Sequence, residues 1–412
     1  MLDVTAICLT ITAILAYLNR RFIGLPPTIG VMVIALLISV SLVGLNALGL
    51  SYLHASELEL LHSIDFSNVL MQGMLSILLF AGALHVDLHQ LRAYRLPIGL
   101  LAVVGTSIST VIVAAALWYA LPWFGLALPL GYCLLFGALI SPTDPIAVMG
   151  ILKSANAPAS VETVMAGESL FNDGVGVVLF ALIAAMIAQG AAPSAAQTGM
   201  LLLREAGGGM AFGAVLGYGT YRLLASIDSY QEEVLITLAA VLGGYSLAAH
   251  LHVSAPLAMV VTGLIIGNQG RALAMSDTTR EHIDSFWELL DSILNAVLFV
   301  LLGLQIVLVP ISAQLALGAV VAILATLLAR YVSVGLPLAL WGKQMKLPRG
   351  TWQIMTWGGL RGGISVALAL SVPAGAERDV LVALTYAVVV FSILMQGGSI
   401  GALIRRYVVQ DR

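Results

Sequence analysis

The chain has 412 residues, of which 60% are hydrophobic and 9% charged, with a formal net charge of −3. A soluble domain carries about 25% charged residues, so a large soluble protein is excluded and the chain reads as an integral membrane protein. The net charge says nothing about partners in such a chain. The two cysteines, Cys8 and Cys133, both lie in apolar runs and imply neither a disulfide framework nor a metal site.

The pattern predicts an all-α polytopic fold of about thirteen apolar segments, each able to span a bilayer with about 20 residues. They lie near 2–19, 27–46, 66–88, 97–121, 128–151, 160–189, 200–224, 231–250, 254–269, 284–309, 312–340, 350–373 and 378–404. The first has its basic residues, Arg20 and Arg21, after it, so it reads as a retained helix and not as a cleaved signal peptide. In the seventh span, Gly209, Gly213 and Gly217 recur every four residues, a ladder that lets helices approach closely. The segment 276–292 mixes Asp277, Arg280, Glu281, Asp284 and Glu288 with Phe286 and Trp287 and reads as an amphipathic entry to the tenth span. Asp291 and Asn295 follow, either lining a cytoplasmic funnel or marking a solvated helix end.

Orientation is read from Lys and Arg. With the N-terminus outside, the inner loops hold Arg20, Arg21, Arg92, Arg95, Lys153, Arg222, Arg271, Arg280, Lys343, Lys346 and Arg349, and the cytoplasmic C-terminal tail adds Arg405, Arg406 and Arg412. The outer side holds only Arg204 and Arg378, beside Glu57, Glu59 and Glu377.

The densest polar stretch inside an apolar span is Gly167-Glu168-Ser169-Leu170-Phe171-Asn172-Asp173-Gly174. On a helix Ser169 and Asp173 share one face, and Glu168 and Asn172 the adjoining one. Ionisable groups at membrane depth are costly and face a bundle interior or a water-filled cavity, so this stripe reads as a site for an ion or a proton. The alternative is a hydrogen-bonded cluster that only orders helix packing.

Two spans are interrupted. In the fifth, Ser141-Pro142-Thr143-Asp144-Pro145 places two prolines three residues apart. Each removes a backbone donor and clashes with the preceding turn, and the break survives only if buried in protein or lining a cavity. Asp144 stands at this break, beside the N-terminus of the next half-helix, which favours negative charge. In the twelfth, Gly358-Gly359-Leu360-Arg361-Gly362-Gly363 weakens the helix by about 1 kcal/mol per glycine relative to alanine. Arg361 there needs an anion, and Glu168 is the expected partner. If spans 1–6 and 8–13 are two six-helix repeats, both breaks fall in the fifth helix of a repeat. The offset of seven spans inverts the second repeat, an arrangement that marks a secondary transporter's midplane site.

These three motifs, with Phe299-Val300-Leu301-Leu302-Gly303-Leu304 and Phe391-Ser392-Ile393-Leu394-Met395-Gln396-Gly397, resemble the signature of NhaP-type sodium/proton antiporters of the monovalent cation–proton antiporter-1 family, over essentially the whole chain. The resemblance implies a homodimer in the bilayer, with a dimer-interface bundle (1–96 and 191–311) and a core transport bundle (97–190 and 312–405), followed by a short cytoplasmic tail (406–412). It implies that Asp173 binds either the cation or protons. Ser169 and Thr143 would add neutral oxygens as sodium ligands, and Asp144 would sit at the helix crossing, balancing the half-helix dipoles and binding the ion through water. Asn172, Gly358 and Gly359 would hold that crossing, and Glu168 with Arg361 would form a buried structural pair. The Asn172-Asp173 order resembles the electroneutral branch, one cation per proton. One departure stands at Ala81, where many relatives carry a glutamate; Asp87, six residues on, reads as a helix-end residue.

The implied function is exchange of Na⁺ or Li⁺ for H⁺ across a bacterial inner membrane, without enzymatic activity, cofactor or nucleic acid. Cation and proton would compete for one carboxylate exposed alternately to the two sides. A potassium/proton exchanger on the same scaffold is the alternative. A cation channel, or an intramembrane aspartyl protease built on Asp144 and Asp173, is more remote. Of the seven histidines, His54, His62, His85, His89, His250, His252 and His282, most read as interfacial residues.

Overall fold

The computed structural model describes residues 2–47, 74–144, 146–155, 157–189, 195–305, 312–345 and 347–408. The start of the third expected span lies outside them, as do Pro145, Lys346, Arg412, His54, His62, Glu57 and Glu59. Among the described residues the chain is helical, with no strand.

In chain order the helices are α1 (Leu2–Leu18), α2 (Pro27–Ala47), α3 (Leu75–Leu84), α4 (Leu88–Ala93), α5 (Arg95–Phe124), α6 (Leu130–Ile140), α7 (Ile146–Ser154) and α8 (Ala159–Gln189). There follow α9 (195–224), α10 (Tyr230–His250), α11 (255–273), α12 (Asp277–Leu304), α13 (Ala313–Met345), α14 (Thr351–Trp357), α15 (Gly363–Ser371) and α16 (Ala376–Tyr407). Among the described residues eight helical stretches, the first of them Thr5–Ile23, are long and apolar enough to cross a membrane. The pairs α6/α7 and α14/α15 are each one expected span, cut where the Pro and Gly motifs stand.

Local chemistry sets several boundaries. Ser276 caps α12 by accepting from the Thr279 N–H at 3.3 Å. Asp87 caps α4, accepting from the N–H groups of His89 at 2.7 Å and Gln90 at 3.3 Å. Those two bonds hold the Asp87 carboxyl below the ordinary aspartate range. Asp87 is therefore the helix-end residue expected of it, satisfying donors that the first turn leaves orphaned. The glycine ladder packs α9 onto α11: a Cβ on Gly217 would stand 3.1 Å from the Thr262 Cα, and one on Gly213 2.8 Å from the Ala258 Cα.

Packing falls into two groups. α5 lies against α6 and α13, α8 against α6, and α13 and α15 against α16. Separately, α9 and α3 lie against α11, and α2 against α12. A buried cluster of Val113, Leu117, Phe136, Leu139, Ala329 and Leu384 forms the heart of the first group. α8 also reaches α11, and α12 reaches α15, so the polar stripe of α8 and the second break lie where the two groups meet.

Candidate functional site

The two breaks meet backbone to backbone: the Asp144 N–H donates to the Leu360 carbonyl at 2.8 Å. Each interrupted helix therefore supplies a partner for a polar group the other has exposed, as buried backbone requires.

Arg361 closes the first break. Its Nη1 donates to the Pro142 carbonyl at 2.8 Å and also to the Ser141 carbonyl. In an unbroken helix the Ser141 carbonyl would accept from residue 145, but a proline there has no N–H to give. The guanidinium thus replaces missing backbone donors and sits against the negative end of α6. Its own backbone N–H is held by the Ser392 Oγ at 3.0 Å. One turn on, Gln396 Nε2 donates to the Trp357 carbonyl at 3.0 Å. Ser392 and Gln396 both stand on a widened turn of α16, Ser392–Gly397.

The expected pairing of Glu168 with Arg361 is corrected. Glu168 takes a bidentate ion pair from Arg330 of α13, with Nη2 at 2.9 Å from Oε2 and Nη1 on Oε1. Arg330 Nε also donates to the Met355 carbonyl at 3.1 Å. A planar fork matches a carboxylate on two bonds at once, whereas Arg361 has its Nη1 committed to carbonyls. Sequence reasoning missed Arg330, although it is a lone cation in the middle of the apolar 33-residue α13. That isolation was the available signal. It also passed over Ser392 and Gln396, which stand four apart inside a motif it quoted.

The expected crossing residues are brought together. Asn172 Nδ2 donates to Thr143 Oγ1 at 2.9 Å, and Asn172 Oδ1 accepts from the Thr143 N–H at 3.3 Å. One amide thereby clamps both the side chain and the backbone of the break, which a carboxylate with no donor could not do. The Ser169 and Thr143 hydroxyls are 3.0 Å apart. Gly359 lets the Arg330 guanidinium lie on the backbone, since a Cβ would stand 2.5 Å from Nε. Gly358 faces Met165 of α8, where a Cβ would stand 2.8 Å from Cε. Gly362 packs directly on the Asp144 carboxylate.

A cavity of about 370 Å³ opens onto this crossing, lined by Asp173, Asp144, Thr143, Ser365 and Asp291, with His85 and Lys153 farther along it. Asp173 is 7% exposed. Ser169 does not line the cavity and sits behind Thr143, whereas Ala81 is packed away from it at 1% exposure. Among the described residues no three His, Cys, Asp or Glu side chains gather around one point as for a resident metal. Hard carboxylate and hydroxyl oxygens suit a hard cation, and a carboxylate can take a proton instead.

Comparison with known proteins identifies the family. The family model described as "Sodium/hydrogen exchanger, transmembrane" matches residues 9–406. The Na(+)/H(+) antiporter NhaP of Pseudomonas aeruginosa is 54% identical over 415 residues, covering 98% of this chain and 97% of that one. The Na(+)/H(+) antiporter NhaH of Halobacillus dabanensis is 36% identical, over 90% of this chain and 91% of the other. In fold, the sodium proton antiporter MjNhaP1 of Methanocaldococcus jannaschii superposes with a TM-score of 0.76 at 19% identity, over 98% of this chain and 97% of that one. The chain belongs to the sodium/hydrogen exchanger family.

Proposed function

We propose that this chain exchanges Na⁺ or Li⁺ for H⁺, one for one, by alternating access, with Asp173 as the carboxylate the two ions share. The observation that carries this reading is Asp173 itself, a buried carboxylate lining a cavity at the point where two interrupted helices hydrogen-bond to each other. When the cation leaves, the carboxylate is left as an unpaired charge in a poorly solvated place, which is costly. A proton removes that cost. Each release is therefore coupled to the other ion's arrival, with no further gate.

Thr143 contributes oxygen beside Asp173, and Ser169 acts through Thr143. Asp144 holds negative charge at the crossing. Glu168, Arg330 and Arg361 keep the frame. In this reading the core transport bundle is 97–190 with 312–405, and the dimer-interface bundle is 1–96 with 191–311. The packing of α5, α6, α8, α13 and α16 together supports that division. The protein works as a homodimer in a bacterial inner membrane, with its N-terminus outside and its C-terminus cytoplasmic, as the Lys and Arg asymmetry of the loops indicates.

The test is proton flux in proteoliposomes at fixed internal pH on addition of Na⁺, Li⁺ or K⁺, with the membrane potential clamped at several values. The expected result is flux with Na⁺ and Li⁺ that does not change with the potential. Flux with K⁺ alone would replace the substrate, and a potential-dependent flux would overturn the one-for-one stoichiometry.

A further inference from the structure

We infer that the hydrogen bond between Tyr386 of α16 and Gln305 at the end of α12 is a latch. It holds the crossing shut on the side away from the cavity's mouth and must break for that side to open. This rests on the alternating-access reading given above and adds what sets the balance between its two states.

The cavity's mouth lies at Lys153 and His85, both exposed. From α12 its lining takes Asp291 and Leu298, and from α16 none of the described residues. Leu298 stands at the crossing, packed on Gly363 of the second break, where a Cβ would lie 2.6 Å from its Cδ1. Beyond it α12 is buried on every side: Phe299, Val300, Leu301, Leu302 and Leu304 are each 6% exposed or less. Gln305 lies seven residues past Leu298, about 10 Å farther along. The bond therefore sits in the sealed half, not in the cavity.

Its two partners belong to different bodies. α12 and α2 form one unit: a Cβ on Gly303 would stand 2.6 Å from the Ala35 Cβ, and the Ser39 Oγ donates to the Leu304 carbonyl at 3.0 Å. α16 turns two faces. Leu381, Leu384 and Val388 pack into the buried cluster around Phe136 and Leu139, whereas Tyr386, Val389 and Ile393 join the cluster that holds Met32, Ala35 and Leu301. Tyr386 is thus the polar group that α16 presents across the seam, and its hydroxyl donates to Gln305 Oε1. The two residues are 1% and 2% exposed. In the closed seam each group would be left unsatisfied without the other, whereas in an opened seam water serves both. The bond therefore favours closure, yet by little enough to be broken in every cycle. α16 also carries Ser392, about 9 Å farther along the helix, whose Oγ holds the Arg361 N–H at 3.0 Å. Release of Tyr386 is in this way tied to the second break.

The experiment uses the full-length protein in oriented proteoliposomes, with sodium titrated separately on each side. The apparent Kd on a side is the intrinsic one divided by the fraction of protein open to it. Tyr386→Phe, which keeps the ring and removes the donor, is expected to raise the ratio of KM on the Lys153 side to KM on the opposite side roughly 3- to 10-fold, the effect of one buried hydrogen bond. Gln305→Leu should shift the ratio in the same direction, and the double variant should not exceed the larger single shift. Thr385→Val removes an equally buried hydroxyl, bonded within α16 to the Leu381 carbonyl at 2.7 Å, and should leave the ratio unchanged. In detergent, the amides of 299–304 should take up deuterium faster in Tyr386→Phe and not in Thr385→Val. An unchanged ratio with unchanged deuterium uptake in Tyr386→Phe and Gln305→Leu would overturn the inference. So would an equal shift in Thr385→Val, which would reduce the bond to general packing. Absence of sodium-driven flux in the wild type would overturn the antiport reading, and deuterium uptake would still decide the latch.

Discussion

Glu168 and Arg330 are 1% and 5% exposed, and their energetics follow from that burial. Removing one partner leaves an uncompensated charge and typically costs about 3–5 kcal/mol. Replacing both by neutral groups costs far less. A double-mutant cycle with Glu168→Gln and Arg330→Gln should therefore show a coupling of at least about 2 kcal/mol in thermal unfolding in detergent. The cycle with Glu168→Gln and Arg361→Gln should be closer to additive, because Arg361 is held by the carbonyls of Ser141 and Pro142. Equal couplings would contradict the assignment. From the sequence, the need for a cation opposite Glu168 was legible, since a buried carboxylate requires one. Its identity was not. Two arginines stand at membrane depth, 330 and 361, and only the fold decides which fork reaches a carboxylate 162 residues away.

Among elements, the breaks were legible because their causes are local: Pro142 lacks a donor, and the run 358–363 is glycine-rich. What holds them open is not local. Arg361, Ser392 and Gln396 act across helices that no spacing rule connects, so their partners appear only in the fold. The close contact of Gly362 with the Asp144 carboxylate makes a direct prediction. Gly362→Ala should fold yet lose about 10-fold or more in maximal flux, because displacement of a site group by an ångström can cost up to about 100-fold. Gly99→Ala, where a Cβ meets nothing within 4 Å, should keep wild-type flux. Normal flux in Gly362→Ala would mean that the crossing tolerates movement of Asp144.

At the scale of the whole molecule, composition alone gave the class. A chain with 9% charged residues places most of its few charges at helix ends, so those inside spans carry meaning. Glu168, Asp173, Asp291, Arg330 and Arg361 are all such charges. Each takes part in the frame or the cavity. The cavity itself was not legible. It arises where α3, α7, α8, α12 and α15 converge, and nothing in the sequence shows that Asp291 shares a space with Asp173. Ala81 is not among the residues lining that space, whose carboxylates are those of Asp144, Asp173 and Asp291.

The central claim is that one carboxylate, that of Asp173, serves both ions. The most direct measurement is sodium-driven proton flux in proteoliposomes, wild type against Asp173→Asn, with the variant's fold verified by its unfolding temperature. The account predicts flux in the wild type and none in the folded variant in either direction. A folded Asp173→Asn protein that still exchanges sodium for protons would contradict it.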